Sequence, residues 1–224
     1  MNFSPIINLP GRTRQVKRHI KWRSAARWLG LLCPFLLSSP AFSTETAAFT
    51  ESVIIFNTLC AKCHEAQCSG RLSFEEAFEK STNHILRYYD QASGKQWLQK
   101  ELFDILNYMK TKCAYYPMQA AVPLKRIWAA EFLEEFSTLM EKNYFIPVGR
   151  FTPGNYLIAL EFEKDVKVTV NLISEEFDMV TEECLQSKER RIHIPVLIEE
   201  PGDYYFRIYP GEAVKLIRLA IMPQ

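Results

Sequence analysis

Cys60 and Cys63 stand with two residues between them, and His64 follows at once: Cys60-Ala61-Lys62-Cys63-His64. On a helical turn, positions i and i+3 share a face, so both thiols can bond one flat ligand held beside the turn. An imidazole in the next position falls under that ligand's centre and can coordinate a metal there. Cys-x-x-Cys-His is for this reason the attachment signature of a c-type haem, with thioethers to two vinyl groups and the histidine on the iron. Zinc would need two more ligands at comparable spacing, and the chain has no second Cys-x-x-Cys and no His-x-x-x-His. A redox dithiol pair would sit at the end of a strand in a βαβ unit, whereas these flanks read as helix. One motif implies one covalent haem c, held through Cys60, Cys63 and His64.

The elements around the motif must present it. A helix over Thr50 to Leu59 leads into it, and its Val53, Ile54, Ile55, Phe56 and Leu59 supply an apolar wall for a buried haem edge. Upstream, the first 43 residues hold seven basic side chains, from Arg12 to Arg27, and no Asp or Glu. The apolar stretch Trp28 to Leu37 follows, then small residues ending Ala41-Phe42-Ser43. Basic, apolar and small-residue regions in that order predict a secretory signal peptide over 1–43, and therefore an exported, periplasmic protein that is soluble after cleavage. The chain left after Ser43 carries 20 Lys and Arg against 26 Asp and Glu, a formal charge of −6. Such a chain would repel nucleic-acid phosphates, which sets aside a nucleic-acid partner. An acidic face toward a basic protein partner is compatible with it. The 224 residues, 48% apolar and 13% aromatic, suffice to bury a core in one or two domains.

On Cys60-Ala61-Lys62-Cys63-His64 at the end of an N-terminal helix, residues 47 to 142 resemble the class I monohaem cytochromes c. The resemblance implies an all-α haem domain over 44–145, one-electron transfer, His64 as proximal ligand and a distal methionine. Met118, 54 residues after His64 and preceded by Pro117, is similar to the distal-loop methionine of short bacterial members, with Pro123 to Asn143 as the closing helix. His84 is the runner-up, and a second imidazole would lower the reduction potential relative to Met. Met109 competes if 97 to 112 is the closing helix, although there it reads as core. An open iron position would instead permit a haem enzyme or a gas or redox sensor, with His84 and Arg87, at i and i+3, as distal acid/base groups. Cys68 and Cys113 are a candidate disulfide, tying the segment after the motif to the one before Met118; Cys184 is left over in an acidic, exposed stretch.

After Asn143 the pattern becomes extended. Strands are predicted over 156–162, 166–172, 191–198, 204–209 and 214–221, the first two joined by the hairpin-sized Glu163-Lys164-Asp165. Pro195 suggests that the third is an edge strand or carries a bulge. Turn signals every ten residues or so predict a small Ig-like β-sandwich over 146–224. Tyr204, Tyr205, Arg207 and Tyr209 form a candidate docking face. The expectation is an α+β multidomain protein, haem domain then β-sandwich, carrying electrons to a redox protein partner or a membrane electron-transfer complex, with a haem enzyme or sensor as the alternative if the iron position is open.

Overall fold

The computed structural model describes residues 44–65, 77–118 and 120–224. The expected signal peptide over 1–43, and Cys68, lie outside them. No helix among the described residues is long and apolar enough to cross a membrane.

Eight strands build two four-stranded antiparallel sheets. Sheet A runs in the order β1 (Ile127–Ala129), β8 (Leu216–Pro223), β3 (Gly154–Phe162), β6 (Arg191–Ile198). Sheet B runs β2 (Tyr144–Phe151), β7 (Gly202–Pro210), β4 (Lys167–Ser174), β5 (Met179–Gln186). Period-two alternation explains the contact between them: β6 reads exposed and buried in strict turn, with Ile192, Ile194, Val196 and Ile198 inward. They meet Val168, Val170, Leu172, Phe206 and Ile208 of sheet B in one apolar core. Buried Tyr144 on β2 ties the sheets, its hydroxyl accepting the Leu216 amide at 2.8 Å and donating to the Val214 carbonyl at 3.4 Å.

Sheet A keeps one solvent face, but the middle of sheet B is buried on both. Tyr144 and Ile146 point inward beside Ile208 and Phe206, while Phe145 and Arg207, paired across β2 and β7, point outward and are still buried. What covers them is the helical part of the chain: α1 (Thr44–Ile55), α2 (Ala61–His64), α3 (Ala77–Tyr88) and α4 (Gln96–Lys112), with a short α5 (Ala130–Glu134) after β1. Helices, sheet B and sheet A are thus three layers sharing one core that runs from Val53 to Ile221.

This overturns the expectation of an all-α domain over 44–145 followed by a separate β domain. β1 lies inside that range, β2 starts at Tyr144, and the segment expected as a closing helix, Pro123 to Asn143, holds only the five residues of α5. The apolar spacing there arises from a strand, a helical turn and a bridge in succession: Trp128, Leu133 and Phe136 are buried, whereas Leu124, Leu139 and Met140 face solvent. The chain takes positive φ at Arg126 (51°) and Lys142 (53°), which a continuous helix could not contain. β3 and β4 do not form the expected hairpin either; they fall in opposite sheets.

Candidate haem-attachment site

α1 does not run straight into the motif. Its last turn widens into a π-helical turn, Phe56–Cys60. A π turn displaces backbone carbonyls from their usual amide partners. Two buried side chains take them up: Asn57 Nδ2 donates to the Val53 carbonyl at 2.9 Å and Thr58 Oγ1 to that of Ile54 at 2.8 Å. The extra residue rotates Cys60 inward at the start of α2, so that Cys60 is half-buried while Lys62 and Cys63 are exposed. Burial, then the neighbouring Cys63, pushes the Cys60 thiol up to about 12. Both cysteines are thiols and not a mutual disulfide.

Cys60, Cys63 and His64 line one pocket of about 160 Å³ with apolar side chains of α1, α3 and α4, among them Phe56, Leu59, Leu102 and Phe103. α1 and α4 are held together by Ser52 donating to Glu101 and by their buried apolar faces. α3 closes the pocket with Ile85, Tyr88 and His84. The His84 ring lies 5.7 Å from that of His64, centroid to centroid, and 4.8 Å from Tyr88. Two imidazoles sharing one iron sit with centroids about 6 Å apart, since each nitrogen coordinates at ~2 Å.

The other expected ligands are not in this pocket. Met118 is half-buried against the core, Met109 is buried on the inner face of α4, and neither lines the pocket. Arg87 is exposed and does not line it, so the expected His84–Arg87 pair is not assembled there. Cys113 closes α4 with a left-handed φ of 50° and is disulfide-bonded, its partner lying outside the described residues. Cys184 is an exposed thiol on β5.

The donor set suits a c-type haem: two thiols one turn apart, an adjacent imidazole, a second imidazole facing it and an apolar wall. The pocket is smaller than a porphyrin, and α3 at its rim is exposed at Asn83, His84, Arg87 and Tyr88.

Sequence reasoning missed the anchor behind the motif. Glu65, next after His64, accepts from Tyr115 Oη at 2.6 Å, from Arg207 Nη1 at 3.2 Å and from Arg207 Nη2. Burial opposes the Arg207 charge, but the Glu65 carboxylate more than offsets it, and the guanidinium is held more basic than usual. Tyr115 sits in a cluster of rings with Phe145, Phe177 and Tyr205, at centroid distances of 5.5, 4.5 and 4.6 Å. Tyr205, Arg207 and Tyr209 share the face of β7 turned to the helices, with Arg207 buried and the two tyrosines half-buried, whereas buried Tyr204 points the other way with Phe206, so the expected external docking face is not assembled.

No family model and no curated protein sequence matches the chain. Among solved structures it is similar to a family GH115 4-O-methyl-alpha-glucuronidase with specificity for decorated arabinogalactans, at 12% identity and a TM-score of 0.33 over 66% of this chain and 24% of that one. It is similar to the pre-peptidase C-terminal domain of a collagenase from Bacillus anthracis, at 17% identity and a TM-score of 0.26 over 37% of this chain and 89% of that one. The Anabaena sensory rhodopsin transducer matches at 11% identity and a TM-score of 0.26, over 36% and 89%. Scores this low carry no argument about what this chain does.

Proposed function

We propose that the chain is an exported c-type cytochrome with one covalent haem, carrying single electrons between redox partners. The observation that carries the reading is the convergence of Cys60, Cys63, His64 and His84 on one apolar pocket. Cys60 and Cys63 would hold the haem by thioethers, and His64 and His84 would hold its iron. Bound there, the group supplies a one-electron iron couple.

The chain's own residues set the conditions. Phe56, Leu59, Leu102 and Phe103 give the pocket an apolar wall, and Tyr88 packs beside His84, both rings exposed at its rim. With His64 and His84 both holding the iron, neither a diatomic ligand nor peroxide would bind it, which favours an electron carrier over a haem enzyme or gas sensor. His84 in place of the expected Met118 places the carrier toward low potential. The basic, apolar and small-residue sequence before Thr44 supports export, and a redox protein or a membrane electron-transfer complex is the partner class.

The test is to express the full chain in a bacterium that attaches haem in its periplasm, then denature the purified protein. One haem per chain should remain bound after denaturation and be lost in the Cys60→Ala, Cys63→Ala double variant. A colourless wild-type chain, from cells that load a control cytochrome, would overturn the reading.

A further inference from the structure

A second cavity, of about 530 Å³, lies between the motif and the outer face of sheet B. Cys63 lines both cavities, and no other described residue does. The floor consists of cross-strand pairs from β4 and β7: Asn171 opposite Arg207, and Thr169 opposite Tyr209. Asn171 and Arg207 are each only 3% exposed, yet Asn171 Nδ2 and Arg207 Nε have no hydrogen-bond partner, and the Tyr209 hydroxyl, with the Arg207 guanidinium beside it, has no acceptor for its proton. Glu65 takes one N–H from each terminal nitrogen of Arg207, and Nε is left without an acceptor. Burial pushes the Tyr209 phenol up to about 12, against the pull of the Arg207 charge, so at neutral pH it is an O–H. Lys62 stands at the mouth with Nζ 4.8 Å from the centre of the Tyr209 ring.

Every unpartnered group in this cavity can donate. A buried donor left without an acceptor costs stability. A carboxylate brings acceptor oxygens alone and answers the donors together, whereas a water answers fewer and spends protons on a site with little need of them. We propose that this cavity binds a small monocarboxylate, with Arg207 Nε, Asn171 Nδ2 and Tyr209 Oη donating to its oxygens. Glu65 already neutralises Arg207, so Lys62 supplies the charge that attracts the guest. Glu182, beside Asn171 on β5 and part of the same lining, weighs against dianions. The site stands apart from the haem reading and holds whether or not the motif is loaded.

Titrating the full chain with sodium acetate, at ionic strength held constant with sodium chloride, tests it by chemical-shift changes of the Thr169 and residue-171 backbone amides, which every variant retains. Saturable one-to-one binding is expected, weakened about tenfold or more by Tyr209→Phe and by Lys62→Gln, and abolished by Asn171→Asp. Tyr209→Phe and Lys62→Gln keep the test alive if Asn171→Asp fails to fold. No saturable shift, or affinity for acetate unchanged in Tyr209→Phe and Lys62→Gln, overturns the proposal. So does sulfate binding as tightly as acetate.

Discussion

Glu65 joins two parts of the chain that share no local sequence signal. Its carboxylate collects Tyr115 and Arg207, and Arg207 is 142 residues away. The pair is nearly dry, with side-chain exposures of 4% for Arg207 and 20% for Glu65. Removing one member of a buried pair strands the other, at about 3–5 kcal/mol. Arg207→Met should therefore lower the urea midpoint sharply, and adding Glu65→Gln should recover part of the loss by removing the stranded charge. A midpoint unchanged by Arg207→Met would contradict the anchor. The thiols offer a second residue-scale test. Cys60 is half-buried and held up near 12, while Cys63 and Cys184 are exposed. In the haem-free folded chain at pH 8, iodoacetamide should label Cys63 and Cys184 before Cys60; mass spectrometry reporting Cys60 first would contradict it. The motif was legible because attachment chemistry needs contiguous residues. The Glu65–Arg207 pair was not, because tertiary packing alone brings it together, and Arg207 among three tyrosines reads equally well as an exposed face.

At the scale of elements, alternation located β3, β4, β6, β7 and β8 to within a few residues, since each buries every second side chain. β5 escaped notice because it is an edge strand whose outward side chains include Glu182 and Cys184, so no apolar alternation marks it. β2 escaped for the opposite reason. Buried on both faces, it shows an apolar run without period, and the run is broken by Pro147 and Gly149. Those two residues flank a bulge in the β2–β7 register. Gly149 has φ of +79°, and a methyl group there would stand 2.7 Å from Val122 Cγ2. Gly149→Ala combines backbone strain with overpacking and should cost about 1–3 kcal/mol. Thermal and urea unfolding check this; an unaltered midpoint would mean that the bulge is not needed to fit β2 between β7 and the segment around Val122.

For the whole molecule, the seam between sheet B and the helices is unusually phenolic. Burial, ahead of nearby carboxylates, raises Tyr115, and it holds Tyr205 and Tyr209 near 12, as it does Tyr144 between the two sheets, all above the ordinary value of 10.0. A phenol whose folded value is raised stabilises fully below its unfolded value. That contribution drains away as pH climbs from the unfolded toward the folded value, because the unfolded chain gives up its proton first. Stability should thus be level up to about pH 10 and then fall steeply, with tyrosinate absorbance appearing together with unfolding. Phenolate formation near pH 10 in a chain that stays folded would place these tyrosines in water. The same seam explains why composition and pattern missed the architecture: a helical layer sharing its core with a sheet carries no boundary signal. The central claim, that two imidazoles make this an electron carrier, is tested most directly by optical spectra of the haem-loaded chain, oxidised, reduced and under carbon monoxide. The account predicts a low-spin spectrum without a Met-to-iron charge-transfer band, unaffected by carbon monoxide or by Met118→Ala, and converted by His84→Ala to a high-spin form that binds carbon monoxide. A wild-type charge-transfer band that vanishes in Met118→Ala would contradict it.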